Sequence, residues 1–297
     1  MKTTLSLLAL VSAWLLAFGA LAADRANINK RTGLFEPPAS DLRKASERGD
    51  RAELTREATR LGAARLARLA ADSDRKLVLA ALDAMPLLDD CALLLESVVP
   101  LLASPDDAIR ARAVSTAALL FAQSGPSRRA EYEVAPETVS ATCRALGKVA
   151  ANQSEHVSTR LSAVQGLVDG GAACSSQLGK DLLSAAREPE IRRAVVLAMP
   201  ATPDGKAALA AALEESDTRV ASAAAARLCK VAGAKSAALP MLGGLAVAPE
   251  TMAEDVVEML PCLAASTDRA GQKAFAQLQE SGRPVIRDAI KRLRETR

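Results

Sequence analysis

Five cysteines and a single histidine carry most of the chemical potential of this 297-residue chain. His156 stands in Ser154-Glu-His-Val157, at the start of a predicted helix. An imidazole there could act as a general base or a metal ligand. One histidine excludes a multi-histidine zinc site. A Ser-His-Asp triad could draw only on His156, and no G-x-S-x-G accompanies it. The residue reads best as a solvated member of a first helical turn. The cysteines, Cys91, Cys143, Cys174, Cys229 and Cys262, are scattered singly with no C-x-x-C. Their available chemistry is cross-linking, with an odd thiol left over. Gly170-Gly171 and Gly243-Gly244 are isolated pairs of the kind turns require, and neither continues into a phosphate loop. The acidic pairs Asp89-Asp90, Asp106-Asp107 and Glu214-Glu215 fall at predicted helix ends, where the helix dipole accounts for those at N-termini. The sequence therefore offers no catalytic, cofactor-binding or metal-ligating set, and the expectation is a protein that is not an enzyme and needs no cofactor.

The elements that position these residues begin with the first 22. Lys2, an apolar run from Leu5 to Leu21 and the small-residue site Ala20-Leu21-Ala22 read as a secretory signal peptide over 1–22, cleaved between Ala22 and Ala23. The run is short for a membrane span, and charged sequence follows it directly. The expected location is periplasmic or secreted, where disulfides persist. Residues 23–40, with Pro37-Pro38 and no apolar period, read as a flexible N-terminal arm.

From residue 41 to 297 the pattern is helical, broken every dozen or so residues by turn signals such as Gly49-Asp50, Ser104-Pro105 and Ser281-Gly282. The apolar 49% is mostly Ala, Leu and Val, and aromatics make up only 2%. Such a core suits closely packed helices, since sheets draw on β-branched and aromatic residues. No stretch of sustained alternation reads as a strand. Net charge is +3, which is not the field of a nucleic-acid binder, and base-stacking aromatics are nearly missing.

One register recurs along the chain. Aliphatic anchors stand at Leu77, Ile109, Val157, Ile191 and Val220. Three residues earlier come Asp74, Asp106, Ser154, Glu188 and Asp217, which would cap or favour a helix start. Four residues later come Ala81, Ala113, Leu161, Val195 and Ala224, which open a buried stripe. The one long interval contains Gly125 to Tyr132, read as an inserted loop. Second helices are predicted near 91–102, 137–151, 175–186, 204–214 and 236–246.

The segments Asp107-Ala-Ile-Arg-Ala-Arg-Ala113 and Asp217-Thr-Arg-Val-Ala-Ser-Ala-Ala224 resemble the first-helix signature of HEAT repeats, over roughly residues 73–265. The resemblance implies an all-α fold, a right-handed α-solenoid of stacked helix pairs of the HEAT or armadillo-like type. It also implies an extended surface, lined by second helices, that binds another protein. Some HEAT-like proteins are lyases acting on bilin chromophores, but the export signal and missing aromatics argue against an enzyme. A structural subunit of an envelope assembly is a further alternative.

Within that register Cys229 and Cys262 lie 33 residues apart, about one repeat, and are expected to form a disulfide. Cys143 and Cys174 are the next-best pair, with Cys91–Cys143 close behind and five buried thiols the alternative. Lys148, Lys180 and Lys206 fall on successive second helices, with Arg144 and Arg187 at helical spacing from the first two. Together they are expected to form a basic stripe that receives an acidic segment of a partner, although Glu214, Glu215 and Asp181 would neutralise part of it. The basic segment from Arg283 to Arg297 has an apolar stripe of Val285, Ile286, Ala289, Ile290 and Leu293. It reads as a capping helix that ends the solenoid; weak contact with an anionic envelope surface or an acidic partner is the other reading.

Overall fold

Aspartates start many of the helices. In the computed structural model, which describes residues 39–233 and 239–295, the Asp50, Asp74, Asp90, Asp106, Asp217 and Asp268 side chains each accept a hydrogen bond from a backbone N–H in the first turn of the helix that follows. Each satisfies a donor that would otherwise have no partner. The signal segment, its Ala22–Ala23 cleavage point and the arm to residue 38 lie outside the described residues.

The helices alternate between two layers. The first layer contains α1 (Ser40–Arg48), α3 (Arg75–Ala84), α5 (Asp107–Glu131), α7 (Val157–Asp169), α9 (Pro189–Ala198), α11 (Thr218–Ala232), α13 (Ala253–Ala265) and α15 (Pro284–Glu295). Each packs on the next of this set in order. Between them run α2 (Arg51–Ala70), α4 (Cys91–Val98), α6 (Pro136–Ala151), α8 (Lys180–Ala185), α10 (Pro203–Ala212), α12 (Leu239–Val247) and α14 (Arg269–Gln279). In this second layer α2, α4, α6, α8 and α10 touch in sequence, as do α12 and α14. Among the described residues there is no strand. The result is an all-helical protein of sequential helix pairs, an arrangement consistent with a helical solenoid. Ser40 to Arg297 forms one unit.

The core between the layers is aliphatic. Leu66, Leu82, Leu95, Leu120, Leu146 and Leu167 are fully buried or nearly so, with Phe121 the one large aromatic among them. Of the five anchors, Ile191 and Val220 are buried, while Leu77, Ile109 and Val157 are only half-buried. In α3 the buried position is the neighbouring Val78. A short Ala-rich signature leaves the exact register loose, because several helix faces are equally small.

Three local details depart from the sequence reading. The cap of α7 is His156 rather than Ser154, its Nδ1 accepting from the Ser158 N–H at 3.3 Å. The segment expected to be a loop, 125–132, is helical as far as Glu131. It continues α5 beyond a sharp kink at Gly125, whose φ of 48° favours glycine, with Pro126 at the start of the new turn. Arg129 from this extension is buried over the Phe121 ring, 4.8 Å from its centroid, and donates to the Gly170 carbonyl at 3.2 Å. A second kink, at Gly62 with φ 73°, divides α2.

Two disulfides tie neighbouring units, one in each layer. Cys229 of α11 is bonded to Cys262 of α13, with Cα atoms 6.0 Å apart. Cys143 of α6 is bonded to Cys174 in the 3-10 turn Gly171–Gln177, with Cα atoms 5.1 Å apart. Such distances are shorter than a usual helix-to-helix spacing of about 8–10 Å. Small flanking residues permit them: Ala225 and Ala226 on α11, and Gly170 beside Cys174, where an added Cβ would strike the Cys174 sulfur. Cys91 remains a buried thiol, and burial pushes its pKa up.

Candidate protein-binding surface

A row of arginines holds successive units in register. Each arises near the start of a first-layer helix and reaches the acid at the head of the next unit. Arg43 meets Asp74 at 3.6 Å and Arg75 meets Asp106 at 2.6 Å. Arg110 meets Glu155 at 2.5 Å, Arg160 meets Glu188 at 2.6 Å, and Arg192 meets Glu215. The last three also cap the chain that precedes them. Arg110 donates to the Ser104 carbonyl, Arg160 to that of Ala150, and Arg192 to those of Leu183 and Ala186. Carbonyls near a helix C-terminus lack intrahelical partners and carry partial negative charge, so a guanidinium there is doubly suited. Arg110 stands inside the repeat-like segment Asp107 to Ala113, but nothing in that signature marks it as a link between units. The acids were not legible as partners, because the intervals between them vary.

The row ends at Arg219, which turns back to Asp217 at 2.9 Å. A different link replaces it. Arg193 of α9 reaches Asp255 of α13 at 2.7 Å, passing α11 altogether. Asp255 is buried and also accepts from Ser222 Oγ at 3.2 Å. The passage is open because Ala221 to Ala226 of α11 are all alanine or serine. One arginine and one aspartate together span more than one helix step but less than two. The pair therefore links α9 directly to α13 across the small-residue face of α11.

The row has a pH signature. Asp106 is held below its ordinary value of 3.8 by the hydrogen bond from Arg75, and then by backbone amides. Glu188 is held below 4.5 first by its own backbone N–H and then by Arg160. A carboxylate depressed in the folded state stabilises fully above its unfolded pKa, and the contribution is lost as pH falls through the folded value. The melting temperature is expected to be flat above about pH 5 and to fall below about pH 4.5. An Arg75→Gln variant should show a shallower acid decline in a thermal-melt series; an unchanged slope would remove Arg75–Asp106 as a cause.

The five cations of the expected stripe sit on or beside three successive second-layer helices. Arg144 and Lys148 are exposed on α6, Lys148 in its last turn. Lys180 is the first residue of α8, and Lys206 lies half-buried in the first turn of α10. Arg187 is not on α8, which ends at Ala185; it is exposed in the turn before α9. The shared helix face assigned to Lys180 and Arg187 is therefore corrected: α8 is too short to carry both. The ends of α6 and α8 do lie together, since Gln153 Nε2 donates to the Ala185 carbonyl at 3.1 Å.

The same short helix opens the surface. Because α8 spans only six residues, a cleft of about 820 Å³ lies between α10 and the segment from Ser175 to Ser184. Lys180, Asp181, Thr202 and Asp204 line it, with Ala207, Ala208 and Ala211 as an apolar wall and the Arg192–Glu215 pair at its margin. Its charge is mixed rather than basic. No protein-family model matches the chain. No curated protein matches it either. What the molecule can do is therefore read from this surface alone. Backbone-spaced hydroxyls, two carboxylates and one ammonium beside an alanine wall offer hydrogen bonds and apolar contact to a polypeptide.

The first layer also carries exposed apolar side chains that the sequence reading missed. Leu119 on α5, Val168 on α7 and Leu197 on α9 are 48%, 42% and 37% exposed. Val168 and Leu197 border a groove between α7 and α9 floored by Val164, Ala194 and Ala198. No helix among the described residues is long and apolar enough to cross a membrane. No group of three or more His, Cys, Asp or Glu is placed to hold a metal ion among them.

Proposed function

We propose that this protein is an exported, non-enzymatic scaffold of the HEAT-repeat type, which binds another protein along its second layer. The observation that carries the proposal is the cleft beside α8. It is open, polypeptide-sized, and set in a surface formed by successive helices that the arginine row holds in fixed register. A rigid extended surface binds without paying for its own ordering. The polar lining supplies hydrogen-bond specificity, and Lys180 and Lys148 meet carboxylates of the bound segment. Export is supported by the signal-like N-terminus together with the two disulfides, which belong to oxidising compartments.

The double variant Lys148→Glu with Lys180→Glu tests the surface in pull-downs from envelope extracts. Both side chains are exposed, so the fold should be unaffected, with an unchanged far-ultraviolet spectrum and melting temperature. Capture of the protein's specific partner is expected to drop about tenfold or more at low salt, because two attractions become repulsions. Retention of the same partners at the same level would show that this face is not the site.

A further inference from the structure

The C-terminal helix presents a second, independent surface, which goes beyond the scaffold reading. The apolar side of α15, with Ile286, Ala289 and Ile290, is buried against the preceding helices. Arg287, Lys291 and Arg294 are exposed and follow at i, i+4 and i+7, on one side of the helix. They line a groove of about 290 Å³ with Gln279 from the end of α14, Ile290 and Glu295. Among the described residues, none of the three forms an ion pair, Glu295 on the rim included. The arginines of the inter-unit links differ in this respect: Arg43, Arg75, Arg110, Arg160, Arg192 and Arg193 all meet a carboxylate.

Local helix energetics explain the arrangement only in part: Lys291 has Asp288 at i−3 and Glu295 at i+4, but Arg287 gains no such neighbour at i+3 or i+4. The dipole favours a cation at Arg294, in the last turn, but disfavours one near the helix start, where Arg287 stands and no acid occupies the first turn. Like charges at i, i+4, as in Arg287 and Lys291, repel by about 0.2–0.5 kcal/mol. A counter-charge from outside the chain would relieve both.

We propose that this groove docks an acidic polypeptide segment of a partner protein. The three cations are spaced about 6 Å and about 4.5 Å apart along the axis. Carboxylates on alternate residues of an extended chain repeat at about 6.8 Å, and those at i, i+4 of a helix at about 6 Å, so either backbone can engage them in sequence. A bilayer surface fits less well, because Ile286, Ala289 and Ile290, most of the apolar face that would enter the interface, are buried inside the protein, and of the expected stripe only Val285 stands exposed.

The test uses the whole protein and a fluorescein-labelled twelve-residue peptide with glutamate at alternate positions, read by fluorescence anisotropy. The wild-type protein should bind it and should ignore the same peptide with glutamine in place of glutamate. The variant Arg287→Gln, Lys291→Gln, Arg294→Gln should weaken binding about tenfold or more, with unchanged circular dichroism. Raising sodium chloride from about 50 to about 300 mM should weaken wild-type binding similarly, as screening shortens the reach of the charges. A control with three exposed charges removed elsewhere, Arg48→Gln, Arg51→Gln, Arg56→Gln on α1 and α2, should bind as wild type. Equal binding by the α15 variant, equal loss in the control, or wild-type binding to phosphatidylglycerol vesicles but not to the peptide would each overturn the proposal. None of these outcomes touches the α8 cleft, which is read separately by capture of the protein's partner.

Discussion

Replacing Cys229 and Cys262 together with serine is expected to lower unfolding stability by about 3–4 kcal/mol. The bond closes a loop of 33 residues, and the chain-entropy relation gives about 3.7 kcal/mol for a loop of that length. The bridge joins α11 to α13 next to the place where the arginine row stops, a step whose other polar links include Ser222–Asp255 and Lys230–Glu258. Local opening should follow: amides of α13 to α15 should exchange faster in the variant, while those of α3 to α7 change little. Urea melts of the oxidised wild type and the double variant measure the first effect, and hydrogen exchange the second. An unchanged urea midpoint would show that packing alone secures the step. The Cys143–Cys174 pair closes a loop of 31 residues and should behave alike, with the loss centred on α6 to α8.

The second large effect is predicted for Arg193→Met. The change keeps an aliphatic stem and removes the guanidinium, which leaves the Asp255 carboxylate buried with only the Ser222 hydroxyl as a donor. Breaking a buried ion pair from one side costs about 3–5 kcal/mol. The Arg193 side chain is itself partly exposed, 21%, which places the expected loss near the lower end, about 3 kcal/mol. The paired variant Arg193→Met with Asp255→Leu should recover most of it, because an apolar pair strands no charge. Chemical melts of the wild type, each single variant and the pair form a double-mutant cycle. A coupling energy near zero would mean that the two residues do not act on each other across α11.

Much of the fold was legible because the punctuation is local. Asp74, Asp106 and Asp217 are helix caps by residue type alone, and the structure uses each as one. The predicted second helices at 91–102, 137–151 and 204–214 match α4 with its 3-10 extension, α6 and α10 within a few residues. The segment 125–132 misled because glycine and proline together signal a turn. Here they make a kink within one helix, and the burial of Arg129 over Phe121 holds the extension in place. Arg193–Asp255 was not legible at all. The partners are 62 residues apart and skip a unit, so no repeat register connects them. The surface was legible in part. Lys148, Lys180 and Lys206 were placed on successive helices of one layer, as expected. The brevity of α8, which moves Arg187 off that helix and opens the cleft, depends on where Ala186 to Glu188 leave the helical path, and periodicity does not encode that.

The arginine row also bears on how such a chain changes length. Each arginine needs only an acid at the head of whichever unit comes next. Aspartate and glutamate both serve, and the intervening chain ranges from 23 to 45 residues. The couplings are therefore interchangeable. Duplicating or deleting a whole unit leaves every arginine with a mate, whereas a change of half a unit strands one cation and one carboxylate at the seam. Growth and loss are tolerated in integral steps, and the step size is set by charge complementarity at the joint rather than by the number of residues between joints.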